Sequence, residues 1–144
     1  MATTYDEIYS IFSMKTTDYM LDKIYVASAS SYKNYLKPWL ISAISKFIIC
    51  DQDLTDRNDT TQTFNITLTD LEKEILANLM VIEWTSKEVH NIMELRRDLS
   101  DTDFKRSSEA LNLRAKKELL NDTRESVDKL ITQYDYYVTD LSDI

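Results

Sequence analysis

The chain has 144 residues, with Gly 0, Pro 1, Cys 1 and His 1, and its 17 basic against 25 acidic side chains give a formal charge of -8. An average chain of this length carries roughly ten glycines, so their absence excludes phosphate-cradling loops, dinucleotide fingerprints, type I′ hairpins and nucleophile elbows. A lone Cys50 excludes an internal disulfide and a cysteine zinc site, and the acidic balance speaks against gripping a phosphate backbone.

At 43% hydrophobic the chain has material for one core, and one domain is expected. Residues 1–20 contain Asp6, Glu7 and Asp18 and no long apolar run. The expectation is a soluble, intracellular chain without signal peptide or membrane anchor.

Thr4 with Glu7 fits a capping box, in which hydroxyl and carboxylate each satisfy an orphan amide, and Ile8, Ile11 and Phe12 follow on one face. A short helix from Tyr5 to about Met14 is predicted. A second stripe runs Leu21, Tyr25, Ser28, Tyr32, Leu36 and continues in phase through Leu40, Ala43 and Phe47, with Trp39, Ile44 and Ile48 widening it. Pro38 lies in its middle, so the stretch is one kinked helix or two helices, and the preserved phase favours the kink.

Residues 51–61 are acidic and turn-rich, and a loop is expected there. Its Asp51-x-Asp53 start is calcium-loop-like, but Asp56 and Gln62 stand where an EF-hand needs glycine and glutamate. Phe64, Ile66 and Leu68 alternate with Asn65 and Thr67, which suits a short extended segment near residues 62–68. The three N-x-T sequons, at Asn58, Asn65 and Asn121, read as chance matches.

Thr69 and Glu72 make a second capping box, opening a helix apolar on nearly every side from Ile75 to Trp84, as a central packed helix is. Thr85 with Glu88 marks a third N-terminus, with Val89, Ile92, Met93 and Leu99 continuing toward Ser100, and Ser100 with Asp103 a fourth. From about Thr102 to Tyr134 a long helix is expected, its face built from Phe104, Leu111, Ala115, Leu119, Val127, Leu130 and Tyr134. Thirty residues at 1.5 Å span about 45 Å, more than a small domain, so part of it should project or pack on another subunit. Asn121, Asp122 and Thr123 would permit a break. The tail after Gln133 is acidic yet rich in Tyr, Val, Leu and Ile.

Candidate chemistry is sparse. His90 and Glu94 share a helix face, but two ligands do not make a zinc site. Cys50, behind Ile48 and Ile49, reads as an inert thiol near the core. Carboxylate pairs such as Glu72 with Glu74 read as solvated faces. Trp39 and Trp84 stand in apolar stripes and read as core, not as base-stacking platforms. Lys105, Arg106, Arg114, Lys116, Lys117 and Arg124 are interleaved with Glu109, Glu118, Asp122 and Glu125, giving a salt-bridged helix surface. No catalytic, cofactor-binding or metal-binding residue is expected, and the chain is not read as an enzyme.

Four stretches carry a resemblance: TYDEIYSIF at 4–12, TLTDLEKEILANLMVIEW at 67–84, DTDFKRSSEALNL at 101–113 and LITQYDYY at 130–137. In them the chain resembles head-tail connector proteins (neck adaptor or head-completion proteins) of tailed bacteriophages. The resemblance implies a mainly helical, non-enzymatic component of the virion neck, assembled in the host cytoplasm. It further implies a ring of about a dozen copies under the portal protein that extends the DNA channel and joins head to tail. The expected partners are the portal, an adjacent neck or tail-completion protein and further copies of the chain. DNA passes without specific binding, and no membrane is involved.

On this reading the fold is all-α, a small helical bundle with a long C-terminal helix. Residues 1–133 form a helical connector domain and 134–144 a C-terminal tail or docking arm. Tyr134, Tyr136, Tyr137, Val138, Leu141 and Ile144 are the expected partner-binding residues. The alternative is a viral helical-bundle interaction module of the Bcl-2-like kind, against which the missing glycine-arginine pair counts. A small enzyme with an unrecognised site is a third class.

Overall fold

A computed structural model describes residues 2–16, 28–98 and 108–142. They form four helices and a minimal antiparallel ribbon: α1 (Tyr5–Lys15), α2 (Ala29–Lys46), β1 (Arg57–Asn58), β2 (Thr63–Phe64), α3 (Asp70–Asp98) and α4 (Ser108–Ser142). The protein is therefore an all-α bundle with a long last helix and a short extended segment at the expected place.

α1 begins at the predicted capping box, the Thr4 amide donating to Glu7 Oε2 at 2.8 Å. It buries Tyr5, Ile8, Tyr9 and Phe12. The residues before it run along β2: the Phe64 amide donates to the Thr3 carbonyl at 2.8 Å, and the Tyr5 amide to that of Gln62 at 2.9 Å. In a chain without glycine the ribbon turn needs other means. Asn58 Oδ1 accepts the Thr60 and Thr61 amides, and Gln62 takes a left-handed φ of 55° at a cost of about 1 kcal/mol. The Tyr9 hydroxyl donates to Gln62 Oε1 at 2.8 Å and fastens that residue to α1.

α2 is one helix through Pro38, capped by Ser28, whose hydroxyl accepts the Ser31 amide at 3.2 Å. Its buried stripe is the expected one from Tyr32 through Leu36, Leu40 and Ala43 to the C-cap Phe47. Pro38 is exposed, so water reaches the Asn34 carbonyl that loses its amide partner. Leu21 and Tyr25 lie outside the described residues.

α3 and α4 form an antiparallel hairpin. Glu72 meets Tyr134 at one end, and Ile92 packs on Leu113 at the other. α1 and α2 pack against the first half of α3, where Leu36, Leu40, Ile75, Leu76 and Met80 close the main core. Trp84 stands at the edge of that core, edge-on to Phe12 with centroids 5.9 Å apart. Its indole N–H donates to the Tyr35 hydroxyl at 3.3 Å.

Several local expectations are corrected. Thr85 does not start a helix: α3 runs through it, and the hydroxyl is buried with no partner among the described residues. The apolar run on either side outweighs the capping signal, because helix propagation adds a hydrogen bond per residue while a new start must satisfy its orphan amides. Asn121–Thr123 does not break α4, since Thr123 points inward and its hydroxyl donates to the Leu119 carbonyl at 2.7 Å. The buried face of α4 is Leu113, Lys116, Leu120, Thr123, Val127 and Tyr134, a 3-4 spacing. Ala115, expected on that face, is exposed, and Phe104 and the Leu111 side chain lie outside the described residues. Lys116, read as part of a salt-bridged surface, lies buried with its ammonium 3.9 Å from the Trp84 ring centroid, a cation–π contact.

Candidate docking surface

The loop after α2, the N-terminus of α3 and the last turns of α4 meet around Glu72. This carboxylate is 2% exposed, which corrects its reading as part of a solvated face. The capping box brings it there: Oε1 accepts the Thr69 amide at 2.8 Å, so the side chain folds back over the helix start. Gln52 Nε2 donates to Oε1 at 2.6 Å, and the Tyr134 hydroxyl donates to Oε2 at 2.8 Å. Burial alone would raise the carboxyl, but the Thr69 amide, the Tyr134 hydroxyl and the Gln52 amide together hold it below the usual carboxylate range.

Tyr134 fixes the end of α4 to this cluster. Its hydroxyl accepts the Asp51 amide at 2.7 Å while donating to Glu72, and its ring lies edge-on to Phe47 at 5.3 Å. Burial keeps the phenol above its ordinary range, so it remains a neutral donor. Cys50 Sγ lies 3.5 Å from Glu72 Oε2, and burial, with the nearby Glu72 charge, pushes the thiol up to about 11. Near neutral pH the cluster therefore holds an ionised carboxylate and a protonated thiol. That combination supplies neither a proton donor of matched pKa nor a thiolate nucleophile.

The residues expected to bind partners divide here. Tyr134 is 4% exposed and belongs to the chain's own core, so it is not a free anchor. α4 also continues unbroken across the expected boundary between 133 and 134, to Ser142. Tyr136 and Tyr137 are 70% and 61% exposed, and Val138 is half-buried against the core. Leu141 lies in α4 with its side chain outside the described part, and Ile144 lies outside the described residues.

Two open faces flank this end of α4. On the outer side, Asp128, Lys129, Thr132, Gln133 and Tyr136 line a shallow groove of about 680 Å³. On the other side, a cleft of about 720 Å³ has Leu71, Tyr137 and Val138 as apolar wall, Asp51 and Asp70 on its rim and Glu72 within its lining. Sequence reasoning missed the contribution of the α2–β1 loop: Ile48 is 87% exposed and Ile49 is exposed beside it. Ile48, expected to widen the buried stripe of the second helix, is exposed instead, because α2 ends at Lys46 and Ile48 lies in the turn that follows the C-cap Phe47.

His90 pairs with Glu94 at 3.6 Å on the surface, and no group of three metal-ligating side chains occurs among the described residues. Among them, no helix is long and apolar enough to cross a membrane. Compared with known proteins, the chain matches no family model, no curated protein and no solved structure.

Proposed function

We propose that the protein is a structural component of a tailed-phage neck, a non-enzymatic head-tail connector that sits as a ring beneath the portal, extends the DNA channel and joins head to tail. The reading rests on the four stretches of resemblance. The structural observation that supports it best is where exposed apolar side chains fall. Of the large hydrophobics left exposed among the described residues, Ile48, Ile49, Tyr136 and Tyr137 belong to the end organised by Tyr134, while Met14 and Met93 lie elsewhere. Aromatic and aliphatic side chains held on a rigid helix end are the anchors protein interfaces use.

In this reading Tyr136 and the groove it lines with Lys129 and Gln133 on α4 engage the portal, with an adjacent neck or tail-completion protein below. The net negative charge lets DNA pass the channel without adhering. The test is reconstitution of full-length chain with purified portal rings, viewed by cryo-microscopy. The proposal expects an added layer of density with the α4 C-terminal end against the portal, lost on Tyr136→Ser. Bare portal rings at saturating protein would refute it.

A further inference from the structure

The exposed charges of α4 are mixed in sign from Arg114 to Lys129, with Glu118, Asp122, Glu125 and Asp128 among the cations, but three of the cations share one side of the helix. Arg114, Lys117 and Arg124 are spaced three and seven apart and form one exposed stripe beside the buried face, and none makes an ion pair among the described residues. At the far end of the same helix lies the cleft walled by Leu71, Tyr137 and Val138, and no Lys or Arg is among its described lining residues. Its rim carboxylates are Asp51, which is exposed, and Asp70, which shares the Lys73 ammonium at 3.4 Å. Glu72, held ionised inside, adds a third negative charge. The last turn of α4 carries no basic side chain, so its carbonyl end adds negative potential.

These surfaces are complementary, and they cannot meet within one chain. Lys117 and Tyr137 are twenty residues apart on a straight helix, about 30 Å. We infer that the cleft receives the Arg114–Lys117–Arg124 stripe of a second copy of this chain. The aliphatic stems of the cations lie against Tyr137 and Val138, and their charged heads reach Asp51 and Asp70. A volume near 720 Å³ accommodates more than one long side chain.

Each copy then uses both surfaces once, a heterologous contact that closes into a ring when its rotation permits. The inference rests on the ring reading for closure, while the contact itself stands on the two surfaces. It assigns the Tyr137 side of α4 to the neighbouring copy and leaves the Tyr136 side to the portal.

The test is zero-length carboxyl-to-amine crosslinking of an equal mixture of isotopically light and heavy full-length chains, at concentrations up to about 1 mM. The expected result is an isotopically mixed crosslink from Lys117 to Asp51 or Asp70. Arg124→Glu, which leaves the Lys117 amine in place, should reduce crosslinked dimer about tenfold, and mixing that variant with an Asp51→Lys variant should restore it through the reversed pair. Both substituted side chains are exposed, and circular dichroism checks that each variant folds. Absence of mixed crosslinks at the highest concentration, or mixed crosslinks confined to other surfaces, overturns the inference. A ring imaged in a neck with other surfaces in contact would overturn this pairing and leave the connector reading standing. Confirmed crosslinks in a protein absent from virions would do the reverse.

Discussion

Replacing Tyr134 with phenylalanine removes a single oxygen from the core and leaves the ring edge-on to Phe47. That oxygen donates to the buried Glu72 carboxylate at 2.8 Å and accepts the Asp51 amide at 2.7 Å. A hydrogen bond to a charged acceptor contributes about 1.5–3 kcal/mol, and an amide left without an acceptor costs up to about 1 kcal/mol more where water reaches it. Tyr134→Phe should therefore destabilise the fold by about 2–4 kcal/mol at pH 7, moving the urea midpoint by about 1–2 M.

The loss should also depend on pH. Glu72 is held below the ordinary carboxyl value of 4.5, so its contribution is complete above that value and disappears as pH falls through its folded pKa. Removing a donor raises the folded pKa. Wild type and variant should therefore converge as pH drops from 7 toward 3. Urea unfolding followed by tryptophan fluorescence at the two pH values measures both effects. A loss below about 0.5 kcal/mol at pH 7, or an equal loss at both pH values, would refute the buried network as described.

Leu79→Ala, at a buried position of α3, should cost about 2–5 kcal/mol by chemical denaturation, and a loss under about 1 kcal/mol would contradict the central-helix packing. Tyr137→Ser, on the open surface, should change stability by less than about 0.5 kcal/mol in the same assay, and a core-sized loss would show that the ring is not free. With its thiol pushed up to about 11 from 9.0, Cys50 should hold a thiolate fraction about a hundredfold below that of an ordinary cysteine at pH 8. Disulfide-reagent kinetics in buffer and in urea check this, and equal rates would contradict it.

How far the sequence reveals this molecule depends on the range of the forces involved. The capping boxes at Thr4 and Thr69 and the stripe from Tyr32 to Phe47 are local patterns, and each marks an element correctly. Thr85 and Thr123 bear the same local signals of a helix start or break, yet both lie inside continuous helices, because burial against a neighbouring helix decides there. Two charged residues misled in the same way. Glu72 and Lys116 look like surface groups, and only tertiary partners, Tyr134 and Trp84, make their burial affordable. The candidate surface was half legible: Tyr136 and Tyr137 stand out by composition. The acidic cleft and the diversion of Tyr134 into the core arise from contacts between residues 62 to 84 positions apart, which no window of sequence contains.

The proposal that this chain is a neck component is tested most directly by cryo-microscopy of any virus particles assembled by the genome that encodes it. The expected result is a ring of copies directly beneath the portal, with the Tyr136 side of the last helix against the portal and the Tyr137 side against the next copy. A neck whose density is fully accounted for by other chains, in particles that contain none of this protein by mass spectrometry, would contradict it.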